Sequence, residues 1–220
     1  MLAGFVRAIL LLWPTSSSRS TEAAPIRSAD PSVTGVVLAG GASRRMGFDK
    51  ARMALPDGSL MVERVVRRLS EACARVAIVA DRADRYADLG LPAAVIVDTT
   101  PRAGPLAALR DALAAVDSDY ALAVACDMPH LDIALLRYML ALPRTYDALV
   151  PVHEGRPQVL HAVYAKTCMP IATRLLAEGE GSLQSLIRFV STQLISENEW
   201  QRYSPTGASF TNVNTPIVEE

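Results

Sequence analysis

The sequence predicts an α/β fold in which a mostly parallel sheet is wrapped by helices. Short β-branched or apolar runs alternate with longer stretches of helical periodicity from Val33 onward. Polar residues cluster just after the ends of several of those runs, as they do at the ligand edge of open α/β sheets. The 220 residues, 50% hydrophobic and 20% charged, suit one domain plus a tail and are too few for two domains with separate cores.

Residues 1–32 are read as an N-terminal extension outside the fold, and 33–220 as a single domain. The apolar run Phe5 to Trp13 is interrupted by Arg7 and is too short to span a bilayer. A secretory or mitochondrial targeting sequence is the competing reading of the extension. Val36-Val37-Leu38 forms the buried first strand. Val62, Val65, Val66, Leu69 and Cys73 follow at helical spacing, with Arg64, Arg67, Arg68 and Glu71 on the opposite face. Val76 to Ala80 is the second strand, Asp81 to Asp88 a short helical turn, and Ala94 to Val97 the third strand, ending at Asp98.

Gly104-Pro105 starts a helix with its stripe at Leu106, Leu109, Leu113 and Val116. Tyr120 to Ala125 is wholly apolar and therefore central, and it ends at Cys126-Asp127-Met128-Pro129. A helix near Ile133 to Leu142 follows. Beyond it come strands near Ala148 to Val152 and His161 to Tyr164, then helices near Ala165 to Glu178 and Ser182 to Phe189.

Twenty-two basic residues against 23 acidic ones give a formal charge of −1, which disfavours nucleic acid or an anionic membrane as partner. Any bound anion must be held locally. Lys50 and Lys166 are the only lysines in an arginine-rich chain, so a lysine in a special place is informative. Cys73, Cys126 and Cys168 have neither disulfide nor metal-knuckle spacing and point to a reducing compartment, the cytoplasm. The three histidines, His130, His153 and His161, are too scattered for a metal triad, and nothing resembles a nucleophile elbow.

The chemistry concentrates in Leu38-Ala39-Gly40-Gly41-Ala42-Ser43-Arg44-Arg45-Met46-Gly47-Phe48-Asp49-Lys50. Its glycines allow close backbone approach with N–H groups presented, and Arg44, Arg45 and Lys50 add positive charge, a combination suited to phosphate. It matches neither the P-loop nor the dinucleotide fingerprint. Asp127, after the most apolar strand, is a candidate metal ligand: Mg²⁺ takes one or two carboxylates together with substrate phosphates and waters. Its alternative role is to cap the helix after Pro129. Asp98 either accepts from a nucleobase or ribose or caps a turn.

These residues resemble the signature of the molybdenum cofactor guanylyltransferases. Asp98 with Gly104-Pro105-Leu106-Ala107, Cys126-Asp127-Met128-Pro129, Gly155-Arg156-Pro157-Gln158 with His161, and Phe210-Thr211-Asn212-Val213-Asn214-Thr215-Pro216 fit the same family in order, over residues 33 to 218. The resemblance implies a three-layer α/β/α, Rossmann-like nucleotidyltransferase fold of glycosyltransferase-A-like type. It implies GTP and molybdopterin as substrates and Mg²⁺, with Mn²⁺ as a substitute, as the metal. Transient contacts with a molybdenum insertion protein and recipient molybdoenzymes are expected by the same route.

Leu38, Ala39, Gly40, Gly41 and Asp98 then fall on GTP-contacting positions, Lys50 on the phosphate-contacting lysine and Asp127 on the metal aspartate. Arg44, Arg45 and Gly104 belong to the same site, with Arg45, Lys50 and Asp127 as the catalytic set. Arg156, Gln158, His161, Asn212 and Asn214 line the pterin side. For Gln158 and His161 the competing reading is a hydrogen-bonded core pair, and for the two asparagines an Asx turn. Where relatives carry an asparagine after the second strand, this chain has Ala80-Asp81, so Asp81 either replaces it as acceptor or the contact is absent. Related cytidylyltransferases usually read Leu-Ala-Ala-Gly at the first motif, and Gly40 therefore favours guanine. The alternatives to a guanylyltransferase are a molybdopterin cytidylyltransferase, a sugar-phosphate nucleotidyltransferase, and a non-enzymatic nucleotide-binding chaperone of the cofactor.

Overall fold

The computed structural model describes residues 30–40 and 49–213. They build an eight-stranded sheet from β1 (Asp30–Leu38), β2 (Cys73–Ala80), β3 (Ala94–Val97), β4 (Tyr120–Ala125), β5 (Ala148–His153), β6 (Arg156–Pro157), β7 (His161–Ala165) and β8 (Thr192–Ile195). The strand order is β3-β2-β1-β4-β7-β5-β6, with β8 beside β5. β1, β2, β3 and β4 are mutually parallel, β8 is parallel to β5, and β7 runs antiparallel to both β4 and β5.

Among the described residues six helices cover the two faces: α1 (Met61–Ser70), α2 (Pro105–Ala115), α3 (Ile133–Ala141), α4 (Met169–Ala177), α5 (Leu183–Leu186) and α6 (Glu197–Trp200). Alternation along the strands feeds two cores. Val33 and Val37 of β1 and Leu122 and Val124 of β4 pack with Val65 and Leu69 of α1 and Leu135 and Met139 of α3. Val36 and Leu38, with Ala121 and Ala123, face Leu109 and Leu113 of α2, Leu175 of α4 and Leu186 of α5. A strand buried on both faces needs apolar residues at every position, which is why β4 is continuous in sequence and central in space.

Several boundaries differ from expectation. β1 begins at Asp30 rather than Val33, and its pairing with β2 shifts register between Asp30 and Thr34, where Pro31 has no N–H to give the ladder. Cys73 belongs to β2, not to α1: the helix closes at Ser70 with a tightened last turn, in which the Ala72 amide bonds Leu69 O at 3.0 Å. The expected helix from Ala165 is a 3₁₀ turn, Lys166–Cys168, followed by α4, with Pro170 in the first helical turn. The helix expected from Ser182 to Phe189 is reduced to α5, capped by Ser182, whose hydroxyl accepts from the Gln184 amide at 3.1 Å.

β1 leads through α1 to β2 on one side of the sheet, while β4 lies on its other side. The gap between the C-terminal ends of β1 and β4 is the topological switch point, where loops leave in opposite directions and open a crevice. Lys166, after β7, lies at the opposite edge, its amide bonded to Asp119 O just before β4 at 2.8 Å.

Candidate active site

The crevice is framed by the ends of β1, β3 and β4. Leu38 is buried, Ala39 half-buried and Gly40 exposed, and β1 is prolonged by the Ala39 amide donating to Val79 O at 3.0 Å and the Cys126 amide to Leu38 O at 3.3 Å. A Cβ on Gly40 would lie 3.5 Å from Asp98 Oδ2, an ordinary contact, so the protein itself leaves room for a methyl group there. Gly41, Arg44, Arg45 and Asn214 lie outside the described residues.

Lys50 opens a 3₁₀ turn, Lys50–Arg52, capped by the Asp49 carboxylate, which accepts from the Ala51 amide at 3.1 Å. Two arginines rivet this turn to the loop after β2. Arg85 Nη2 donates to Asp49 Oδ2 at 2.6 Å, and Arg52 holds both oxygens of Asp88 at 2.7 and 2.6 Å while donating to Arg85 O at 2.8 Å. Asp81 lies 3.7 Å from Arg85 Nε, so in this structure its carboxylate is engaged with that guanidinium. Asp49, Arg52, Arg85 and Asp88 were not among the expected site residues. Their role is carried by contacts across 33 to 36 positions, which no local spacing announces.

Asp127 is half-buried beyond the end of β4. Burial raises its carboxyl pKa, and the positive charge of Lys50 opposes that rise, which places the lysine's field on this carboxylate. Asp127 is not the cap of α3: Asp132 holds that position, accepting from the Ala134 amide at 3.0 Å. The neighbouring Cys126 thiol is pushed up to about 12, chiefly by burial and further by Asp127 and Asp49, so it stays protonated and is no nucleophile. Among the described residues no three His, Cys, Asp or Glu side chains converge on a metal position. Asp127 alone, facing the loop of Lys50, fits a hard cation that keeps water and phosphate oxygens.

Asp98 is buried and does cap a turn, accepting from the Thr100 amide at 2.9 Å through Oδ1, while Oδ2 lies beside Gly40. Its loop is tied to α2 through Asp111, which accepts from the Thr99 amide at 2.7 Å and the Thr99 hydroxyl at 2.9 Å. Gly104 has φ +92°, and a Cβ on it would come 2.6 Å from Gly181 O; conversely, a Cβ on Gly181 would strike Ala103 O at 2.0 Å. Two backbones meet there with no space for a side chain, so Gly104 is explained by packing before any ligand is considered.

On the other side of the crevice, Arg156 is exposed on β6. Gln158 Nε2 donates to Arg156 O at 3.0 Å, and His161 is wholly buried with neither ring nitrogen hydrogen-bonded at good geometry among the described residues. The two side chains are thus not a hydrogen-bonded pair, and His161 lies beneath the surface rather than lining it. Burial drives the His161 pKa down to about 4, weakly opposed by the Ser209 backbone. Phe210 lies edge-on to His161 at 4.9 Å and stacks on His153 at 5.0 Å. His153, half-buried at the end of β5, is a site-edge residue that sequence reasoning passed over. Asn212 is exposed on the segment that follows.

The model of the MobA-like NTP transferase domain matches residues 35–197. A probable molybdenum cofactor guanylyltransferase of Chloroflexus aggregans is 36% identical over 189 residues, spanning 84% of this chain and 90% of the relative. One from Pelotomaculum thermopropionicum is 36% identical over 183 residues, spanning 83% and 88%. Among solved structures, molybdopterin-guanine dinucleotide biosynthesis protein A from Archaeoglobus fulgidus superposes with a TM-score of 0.71 at 24% identity, over 83% of this chain and 93% of that one. Rv0371c from Mycobacterium tuberculosis, solved in complex with manganese, gives 0.59 at 16% identity, over 79% and 98%. Parallel strands that open a crevice at β1 and β4, with the 3₁₀ turn of Lys50 and Asp127 beside it, agree with that match, and the chain belongs to the MobA-like NTP transferase family.

Proposed function

We propose that the protein is a molybdenum cofactor guanylyltransferase, joining GMP from GTP to the terminal phosphate of molybdopterin and releasing pyrophosphate. The observation that carries this reading is the convergence of the Lys50 turn and Asp127 at the switch point, close enough for the lysine's charge to act on the carboxylate. Relatives at 36% identity bear the guanylyltransferase name.

The chemistry is an in-line displacement. A phosphate oxygen of the pterin forms a bond to the α-phosphorus of GTP as the bond from that phosphorus to the bridging oxygen breaks, and pyrophosphate leaves with the electron pair. No protein nucleophile is needed, in keeping with a Cys126 thiol held protonated. Backbone from Leu38 to Gly41 receives the nucleotide, and Asp98 accepts from it through the oxygen beside Gly40. Lys50, with Arg44 and Arg45, neutralises the triphosphate and the leaving pyrophosphate. Asp127 is the residue that would hold Mg²⁺ or Mn²⁺, a cation that supplies charge compensation at phosphate oxygens when bound. Arg156, Gln158, Asn212 and Asn214 are assigned to the pterin, and His161 supports that side from below through Phe210. Asp81, engaged with Arg85, is available to guanine N–H groups only if that ion pair rearranges.

The reaction is assigned to the cytoplasm, with a molybdenum insertion protein and recipient enzymes as transient partners. Among the described residues no helix is long and apolar enough to cross a membrane. Titration with GTP, CTP, ATP and UTP in the presence of Mg²⁺, for wild type and Asp127→Ala, tests the assignment. GTP-selective, metal-dependent binding that the variant loses supports it. CTP preference transfers the protein to the cytidylyltransferases, and nucleotide binding without turnover on any pterin or sugar-phosphate acceptor leaves a chaperone.

A further inference from the structure

The C-terminal segment after α6 returns to the crevice beyond the span that the family model matches, which ends at residue 197. It is fastened there at three points. The buried Ser209 hydroxyl accepts from the Asp132 amide at 3.0 Å, at the cap of α3. Phe210 is wedged between His153, His161 and Trp200. Val213 then does two things at once. Its amide donates to Asp127 O at 2.8 Å, and its side chain is buried in a small apolar cluster with Met53, Leu55 and Met61 that is separate from the two main cores.

Met53 belongs to the Lys50 turn, because its amide donates to Lys50 O at 3.0 Å, and its own carbonyl accepts from the Met61 amide at 2.9 Å at the start of α1. An unbroken path therefore runs from Lys50 through Met53 to the Val213 side chain, and from the Val213 amide to Asp127. Ala51 of the same turn and Met128 beside Asp127 also share the larger core, so the Val213 link adds to that packing a hydrogen bond to the Asp127 backbone. The carboxylate and the lysine sit on loops that follow different strands, β4 and β1, and Val213 touches both beyond the strand pairing itself.

We infer that Val213 is a positioning residue that fixes the Lys50 turn and the Asp127 loop relative to one another, so that the divalent-cation and polyphosphate positions are built jointly by a segment at the far end of the chain. This rests on the nucleotidyltransferase reading of the crevice. Neighbouring Asn212 is on the same segment, so an acceptor substrate that engages it presses on the same joint.

The test uses the full chain and two probes, Mn²⁺ alone, followed by the spin resonance of the free ion, and inorganic pyrophosphate, followed by calorimetry. Val213→Ala keeps the amide but empties part of the cluster, and Val213→Thr keeps the shape while adding a hydroxyl. Thermal unfolding shows that each variant is folded, and Val213→Ile serves as the conservative rescue. The expected result is that Val213→Ala weakens both probes together by about tenfold, the size typical of losing an outer support of a metal ligand. Val213→Thr is expected to fall between, and Val213→Ile to stay near wild type. Wild-type affinity for both probes in a folded Val213→Ala protein would overturn the inference, as would loss of one probe with the other unchanged. If wild type itself bound neither probe, the cation and polyphosphate positions assigned to this crevice would fall and take the inference with them.

Discussion

At Asp127 the fold holds a carboxylate whose charged form is disfavoured by burial, and the cost is accepted at a place where a cation would relieve it. Asp127→Asn removes the charge and keeps the shape. Turnover should fall about a hundredfold or more, while the variant should be more stable than wild type in metal-free buffer near neutral pH. The sign follows from the raised folded pKa: the penalty is complete above that value and vanishes as pH falls below the ordinary aspartate range, so the stability gap closes on acidification. Melting curves of both proteins across pH, with and without Mg²⁺, check this. A variant less stable at every pH would contradict it.

His161 behaves in the opposite sense. An unfolded histidine takes up its proton near pH 6.5 or so, whereas the buried one resists until about 4, so stability present above 6.5 is lost as pH falls through that window. His161→Leu should lose less stability than wild type between neutral pH and about 4.5. Equal losses would show that His161 does not titrate against the fold. Lys50 and Asp127 could be picked out from sequence because a scarce lysine and a carboxylate after a fully apolar strand are local signals. His153, Arg85 and Val213 could not, since their importance lies in an aromatic stack, a distant carboxylate and a single backbone N–H.

Among the elements, the two-glycine contact and the end of β1 give a matched pair of substitutions. Gly181→Ala puts a methyl group against Ala103 O and forces the Asp98–Gly104 loop to move, so the melting temperature should drop by roughly 3–8 °C. Gly40→Ala meets only an ordinary contact and should leave stability within about 0.5 kcal/mol of wild type. If the space beside Asp98 receives the base, the same methyl group should cost about tenfold in GTP affinity. A Gly40→Ala protein that binds GTP normally would remove that position from base selection. β3 and β4 were legible in sequence to the residue because each is a short apolar run with a polar stop, Asp98 directly after β3 and Asp119 and Cys126-Asp127 flanking β4. β6, β8 and α6 were missed: a two-residue strand has no period, Thr192-Gln193-Leu194-Ile195 is half polar because it lies at the sheet margin, and a four-residue helix is held by its Ser196–Glu199 capping box rather than by a stripe.

For the whole molecule, parallel β1 to β4 and the antiparallel β7 joining β5 make one continuous hydrogen-bonded sheet with a core on each face. Such a layout leaves no seam across which half could unfold alone. In a Trp13→Phe protein, Trp200, buried against Val152 O through its indole N–H at 2.7 Å, becomes the sole tryptophan reporter. Its fluorescence and the far-ultraviolet circular dichroism should give coincident urea transitions, and separated midpoints would reveal two cooperative units.

The two lysines mark opposite ends of the sheet, Lys50 at the crevice and Lys166 below β7. The chain thereby carries its own internal standard for amine-directed labelling. A bound triphosphate should slow acylation at Lys50 and leave Lys166 reacting at its former rate, so the ratio of two peptides in one digest reads occupancy of the crevice without any reference sample.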